Sequence, residues 1–228
     1  MKARLVKIRP ETDNITSFIL EPEKTVNRKA GQFLRYVLPH SHVDERGNDR
    51  YFTVASAPYE KYIQITTRFA SQSSSFKQAL KQLPIGGEIQ VDSEPEGEFV
   101  ITDFTRNYIF VVGGIGITPI RSILAEADHI GEHIKAHVLY GTDDEPILFK
   151  QDLDRFARNN PELHVEYVRD PKKNIERALQ GVIKQVDEPY VYITGPEPMV
   201  ESFAVIVKKM GLNIGHIQTD FFTGYDHA

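Results

Sequence analysis

Arg50, Tyr51, Phe52 and Thr53 open the run RYFTVASAP, which joins a cation, an aromatic ring and a hydroxyl on one short stretch. A guanidinium presents a planar fork of donors that matches a pyrophosphate, an aromatic ring can lie on a ring system, and a hydroxyl can hydrogen-bond a ring nitrogen. Together these are contacts that suit a flavin dinucleotide. If the run is a β-strand, alternate side chains share a face, so Arg50 and Phe52 point one way and Tyr51 and Thr53 the other. A kink or twist at the strand end would bring the Thr53 hydroxyl or backbone round to the same ligand. An ordinary strand with an exposed Arg carries the same letters, so the reading depends on the elements around it.

Those elements fall into two patterns. The first hundred residues alternate short strand-like runs (ARLVKI, ITSFIL, GQFLRYVL, RYFTVA, YIQITTR and EIQVD) with turns rich in Pro, Gly, Asn and Glu. That is the pattern of a small antiparallel barrel or sandwich. One helix interrupts it at SFKQALKQL, where Phe76, Leu80 and Leu83 recur at helical spacing, Ser74 or Ser75 can cap the start, and Pro84 ends the run. After about Phe104 apolar strands alternate with helices: YIFVV and PIRSILAEA, AHVLY and LFKQDLDRFA, LHVEYV and NIERALQGVIKQV, YVYIT and PMVESFAVIVKKM. Such alternation implies a parallel sheet with helices on both faces. In the last helix Met199, Phe203, Ile206 and Met210 form an apolar stripe, and Gly211 stands where a C-cap belongs. The expected organisation is a barrel domain over residues 1–103 and an α/β domain over 104–228, which suits a chain of 228 residues.

Composition narrows the chemistry. With 40% hydrophobic and 26% charged residues the chain is an ordinary globular sequence able to bury a core. It has no cysteine, which removes disulfides, thiolate-held zinc, iron–sulfur clusters and thiol nucleophiles, so redox chemistry requires an organic cofactor or a partner. The net charge of −5 lies in the second half: residues 1–103 balance 14 Lys/Arg against 14 Asp/Glu, and residues 104–228 carry 13 against 18. No basic footprint for nucleic acid is present. No apolar run approaches the ~18 residues of a membrane span, and MKARLVKIRPETD lacks the apolar stretch of a secretory signal, so a cytoplasmic location is expected.

In an open α/β sheet, ligands collect at the carboxyl ends of the strands, where helix N-termini supply free amides. Two loops are suited to this. In VVGGIGITPI, Gly113, Gly114 and Gly116 allow close approach of a phosphate, Thr118 can cap, and Pro119 suits a first helical turn. In YITGPEPMV, Thr194, Gly195 and Pro196 follow an apolar strand, and Met199 opens the long helix. Each loop by itself is also an ordinary strand-to-helix turn. The loop YGTDDEPILF contains Asp143 and Asp144 and no basic residue; a carboxylate accepts a bond from a ribose 2′-hydroxyl and repels a 2′-phosphate, which favours NADH over NADPH.

Taken in order, Arg50-Tyr51-Phe52-Thr53, Gly113 to Pro119, Thr194 to Met199 and the tail DFFTGY (Asp220 to Tyr225) resemble the ferredoxin–NADP reductase superfamily over nearly the whole chain. The resemblance implies a barrel that binds FAD, an α/β domain that binds a nicotinamide dinucleotide, and hydride transfer where they meet. Carried over by position, Arg50 would pair with the flavin pyrophosphate, Phe52 would stack on the isoalloxazine, and Thr53 would hydrogen-bond its N5 edge. Ser74 and Ser75 would give hydroxyls and helix-start amides to the same pyrophosphate, with Tyr51, Thr66 and Arg68 as further flavin contacts. Gly114, Gly116 and Thr118 would line the nicotinamide path, Gly195 to Met199 would close its far wall, and Phe222 and Tyr225 would cover the second flavin face.

Three positions depart from the family pattern. Phe52 stands where many relatives have Tyr, Thr194 where many have Cys, and EPEGEF (Glu94 to Phe99) puts Glu in place of the first Gly of a phosphate-side turn. The expected activity is hydride transfer from NADH to FAD and onward transfer to a separate acceptor: a ferredoxin, an oxygenase component or a small molecule. A flavin reductase that takes free flavin as substrate, and a non-catalytic electron-transfer subunit, are the alternatives.

Overall fold

The computed structural model describes residues 1–92 and 94–222. Six antiparallel strands come first: β1 (Lys2–Pro10), β2 (Ile15–Pro22), β3 (Phe33–Val37), β4 (Asp49–Thr53), β5 (Ile63–Arg68) and β6 (Glu88–Val91), in the order β4-β3-β6-β1-β2-β5. The sheet curls into a barrel. Ala55, just past the end of β4, donates its amide to the Gln64 carbonyl on β5 at 2.9 Å, so the two edge strands meet. Alternation places Phe18 and Leu20 of β2, Leu34 and Tyr36 of β3 and Ile63 and Ile65 of β5 in one apolar interior. Helix α1 (Ser75–Gln82) plugs it with Phe76 and Leu80, and its N-cap Ser74 accepts the Lys77 amide.

A five-stranded parallel sheet follows, with β7 (Asn107–Gly113) central in the order β11-β10-β7-β8-β9. The other strands are β8 (Lys135–Gly141), β9 (Leu163–Val168), β10 (Tyr190–Pro196) and β11 (Ile217–Phe222). Strand β7 is an unbroken apolar run because both its faces are covered. Tyr108, Phe110 and Val112 meet α2 (Ile117–Ile130) and α3 (Lys150–Asn159) in one core, whereas Ile109 and Val111 meet α4 (Pro171–Ile183) and α5 (Glu197–Lys209) in another. The buried stripe of α5 is Val200, Phe203 and Val207; Met199 and Ile206 flank it, one position off the expected stripe. Gly211 follows that helix at φ +85°, the left-handed C-cap conformation.

The barrel and the α/β unit share packing. Ile15, Ala55, Ala57 and Phe99 belong to the same apolar cluster as Ile120 and Ile123 of α2. Beside them the buried Arg121 guanidinium donates to Glu60 through both terminal nitrogens, to the Ala55 carbonyl at 3.3 Å and, through Nε, to Asp152 at 3.1 Å. Burial works against the Glu60 carboxylate, but the Arg121 bonds prevail and hold it below the usual carboxylate range. Among the described residues no helix is long and apolar enough to cross a membrane.

Candidate functional site

Strand order reverses between β7 and β10: β8 and β9 lie to one side and β11 to the other, so the ends of β7 and β10 form the crevice where ligands of such sheets bind. The two loops there touch backbone to backbone. A Cβ on Gly116 would lie 2.6 Å from the Thr194 carbonyl oxygen, and one on Gly195 would lie 3.1 Å from the Gly113 Cα and oxygen. Thr194 is fully buried and its hydroxyl donates to the Gly116 carbonyl at 3.3 Å, so its side chain ties the loops together beneath the crevice. Thr118 is buried too and donates to the Ile115 carbonyl, which corrects its expected role as a cap that accepts an amide. Met199 packs over Gly113, and Gly114 remains the partly exposed residue of its loop, with Pro196 partly exposed opposite.

Strand β11, which no apolar run announces, carries the crevice over to the barrel. It runs parallel to β10 with Thr194 beside Asp220 and Pro196 beside Phe222. Its end joins β4 in a two-part cleft. One part, about 300 Å³, is bounded by Phe33, Tyr51, Thr53, Glu96, Asp220, Phe221 and Phe222. The other, about 380 Å³, shares Tyr51 and Phe222 and is polar, with Arg46, Arg50, Ser74 and Lys77 on its walls. Tyr51 is 53% exposed and stands edge-on to Phe33 at 5.7 Å. Phe52 also reaches the cleft but is wedged between Tyr36 and Phe76, at 5.9 and 5.8 Å, so the ring with more free face is Tyr51. Tyr225 lies outside the described residues.

Two expected flavin contacts point elsewhere. The Thr66 hydroxyl lies 2.8 Å from that of Ser17 and accepts from Gln64 Nε2, inside a buried polar network of the barrel. Arg68, at the end of β5, makes a two-pronged bond to Asp144 of the loop after β8. That loop has no cation of its own, but the fold brings two to it, since Arg169 also donates to the Thr142 and Asp144 carbonyls at 3.3 Å. Asp143 is left exposed, accepting the Asp170 amide at 2.9 Å.

Residues 110–204 match the family model described as an oxidoreductase NAD-binding domain. The chain is 28% identical to an NAD(P)H-flavin reductase of Aliivibrio fischeri over 86% of each chain, and 25% identical to the sulfhydrogenase 2 subunit gamma of Pyrococcus furiosus, covering 94% of this chain and 81% of that one. It superposes on a ferredoxin NADP+ reductase from Neisseria gonorrhoeae with a TM-score of 0.82 at 17% identity, covering 97% of this chain and 98% of that one. Residues 110–204 therefore carry an oxidoreductase NAD-binding domain, and the whole chain has the two-domain fold of the ferredoxin–NADP reductases. It spans 60% of the length of a flavohemoprotein of Bacillus thuringiensis to which it is also similar.

The lining suits a flavin: aromatic rings, the Thr53 hydroxyl and the carboxyls of Glu96 and Asp220 surround the smaller part of the cleft, and Arg46, Arg50 and Lys77, with Asp49, the larger. Arg50 is nearly buried, and its Nε has no partner among the described residues. A second group in the cleft has no assignment from sequence. Asp220 shares the smaller part of the cleft with Thr53, its Oδ2 has no partner among the described residues, and burial pushes its carboxyl up to about 6. DFFTGY included Asp220, but only the fold places its carboxyl in the cleft.

Proposed function

We propose that the protein is an NAD(P)H-dependent flavoprotein reductase that takes a hydride from NADH onto FAD and passes electrons to a separate acceptor. The observation that carries this reading is the shared cleft: β4 of the barrel and β11 of the NAD-binding unit line it together, and β11 lies against the strand that ends in the T-G-P loop. Bound there, FAD supplies a ring that accepts two electrons from reduced nicotinamide and releases them to another carrier.

The chain's own residues bind, orient and keep water out. Tyr51, Phe52 and Phe222 offer faces and edges to the ring, and Thr53 offers its hydroxyl. Gly114 and Gly195 leave room for the nicotinamide at the strand ends, and the Thr194 hydroxyl, bonded to Gly116, holds that opening at fixed width. Asp220, with its carboxyl near 6, holds a proton at Oδ2 in mildly acidic solution beside Thr53. Asp143 is the carboxylate left for an adenine ribose hydroxyl, and with Asp144 and Glu145 neutralising Arg68 and Arg169, the loop favours NADH over NADPH. The division into barrel and NAD-binding domains falls near residues 103 and 104.

The acceptor is a separate molecule: a ferredoxin, an oxygenase component or a small molecule. A relative named as a subunit of a phenoxybenzoate dioxygenase supports the second class. The test is to reduce the protein with NADH in the absence of oxygen and offer it a ferredoxin, an oxygenase component, ferric iron, a quinone and free flavin in turn. Rapid reoxidation by one of these names the acceptor, and failure with all of them removes the onward step.

A further inference from the structure

The parallel sheet carries a pair of histidines near the amino ends of its strands, away from the crevice. His137 of β8 and His164 of β9 are direct partners in the register of these two strands, so their side chains stand on one face of the sheet. Further along that face Leu139 and Val168 are core residues, packed with Ile175 and Leu179 of α4. At the histidines the apolar pattern stops. Past the C-terminal end of α4, Gln185 and Asp187 join His137 and His164 in the lining of a cavity of about 430 Å³, with Lys135 and Glu162 beside them.

Other histidines have evident partners. His129 and His216 stack on Tyr59 and Tyr190 at 3.9 and 4.0 Å, and both ring nitrogens of His40 are hydrogen-bonded. The rings of His137 and His164 are instead tilted at 36° with centres 4.8 Å apart, and no ring nitrogen of either has a hydrogen-bond partner among the described residues. Metal–nitrogen bonds of about 2.0–2.1 Å place two imidazoles on one tetrahedral ion with ring centres about 5 Å apart, which the observed spacing matches. The cavity lining also holds two carboxylates, Glu162 and Asp187, against one ammonium, Lys135, which lies 3.9 Å from Glu162.

We propose that His137 and His164 form a two-histidine site for a divalent transition metal of the zinc, copper and nickel class, the metals that imidazole suits. No group of three His, Asp or Glu ligands forms among the described residues, so water takes the remaining positions. Because β9 is an edge strand, a metal held by both histidines staples that edge to β8. The site lies at the opposite end of the strands from the crevice and stands independently of the flavin reading.

The test is a calorimetric titration of the full chain, stripped of metal with EDTA, with zinc chloride at neutral pH. Wild type, His137→Gln, His164→Gln and, as a control on the barrel, His42→Gln are compared. Wild type is expected to bind one zinc ion in the micromolar range and to gain in Tm with zinc, because a ligand held only by the folded chain stabilises it. Loss of an outer-shell partner alone costs about 10–100-fold in metal affinity, so loss of either histidine ligand should weaken zinc at least about tenfold and remove the gain in Tm. His42→Gln should change neither. His164 is exposed, so its replacement leaves the fold intact and decides the matter even if His137→Gln fails to fold. Wild type with no saturable zinc binding below about 100 µM overturns the proposal. So does His164→Gln that binds zinc as tightly as wild type, which would make the metal an adventitious ion only.

Discussion

Replacing Asp220 with Asn should stabilise the protein above pH 6 and leave it unchanged near pH 4. Burial raises the Asp220 carboxyl from an ordinary 3.8 to about 6, and its Oδ2 has no partner among the described residues. Below 3.8 the group is protonated both folded and unfolded and contributes nothing. Between 3.8 and about 6 the folded chain keeps a proton that the unfolded chain gives up, so stability falls as pH rises through this window. Above 6 the folded chain keeps a buried charge, at a cost of ~3 kcal/mol for a shift of about two units. Asparagine has a similar shape and no charge, so at pH 8 it should recover up to that amount, or ~6–12 °C in Tm for a chain of this size. The assay is urea unfolding of both proteins at pH 4 and pH 8 with matched flavin content. An equal difference at both pH values, or a variant weaker than wild type at pH 8, would refute the reasoning.

Three further substitutions probe the site. Phe52→Tyr restores a hydroxyl at the mouth of the cleft and should tighten flavin binding about fivefold, the worth of one hydrogen bond, in a fluorescence titration. Asp143→Asn keeps an acceptor for the Asp170 amide but removes the charge; KM for NADH should rise several-fold with kcat unchanged, and preference over NADPH should shrink in steady-state rates. Gly195→Ala places a Cβ 3.1 Å from the Gly113 backbone and forces the two loops apart, so NADH-dependent reduction should fall at least tenfold while flavin affinity, measured separately, stays as it was.

The parallel sheet was legible because β7 and its neighbours are unbroken apolar runs followed by helices, and the glycine loops mark their ends. Strand β11 was not, since IQTDFF is short, half-exposed and without an apolar run; it exists because β10 offers an open edge. In RYFT, two-residue periodicity told which side chains share a face but not which ring keeps a free face in the cleft. Tyr36 and Phe76, distant in sequence, settle that by enclosing Phe52 and leaving Tyr51 more open. Contacts made at a distance were equally hidden. Nothing near Arg68 announces Asp144, and nothing near Ser75 announces Asp44, because each pair forms only once the loops are folded against their neighbours.

The central claim, that one cleft brings flavin and reduced nicotinamide together, is tested most directly by adding NADH without oxygen to purified protein reconstituted with FAD. The account predicts a yellow flavin band that one equivalent of NADH bleaches. Protein that acquires no flavin band, or a band that neither NADH nor NADPH bleaches, would contradict it.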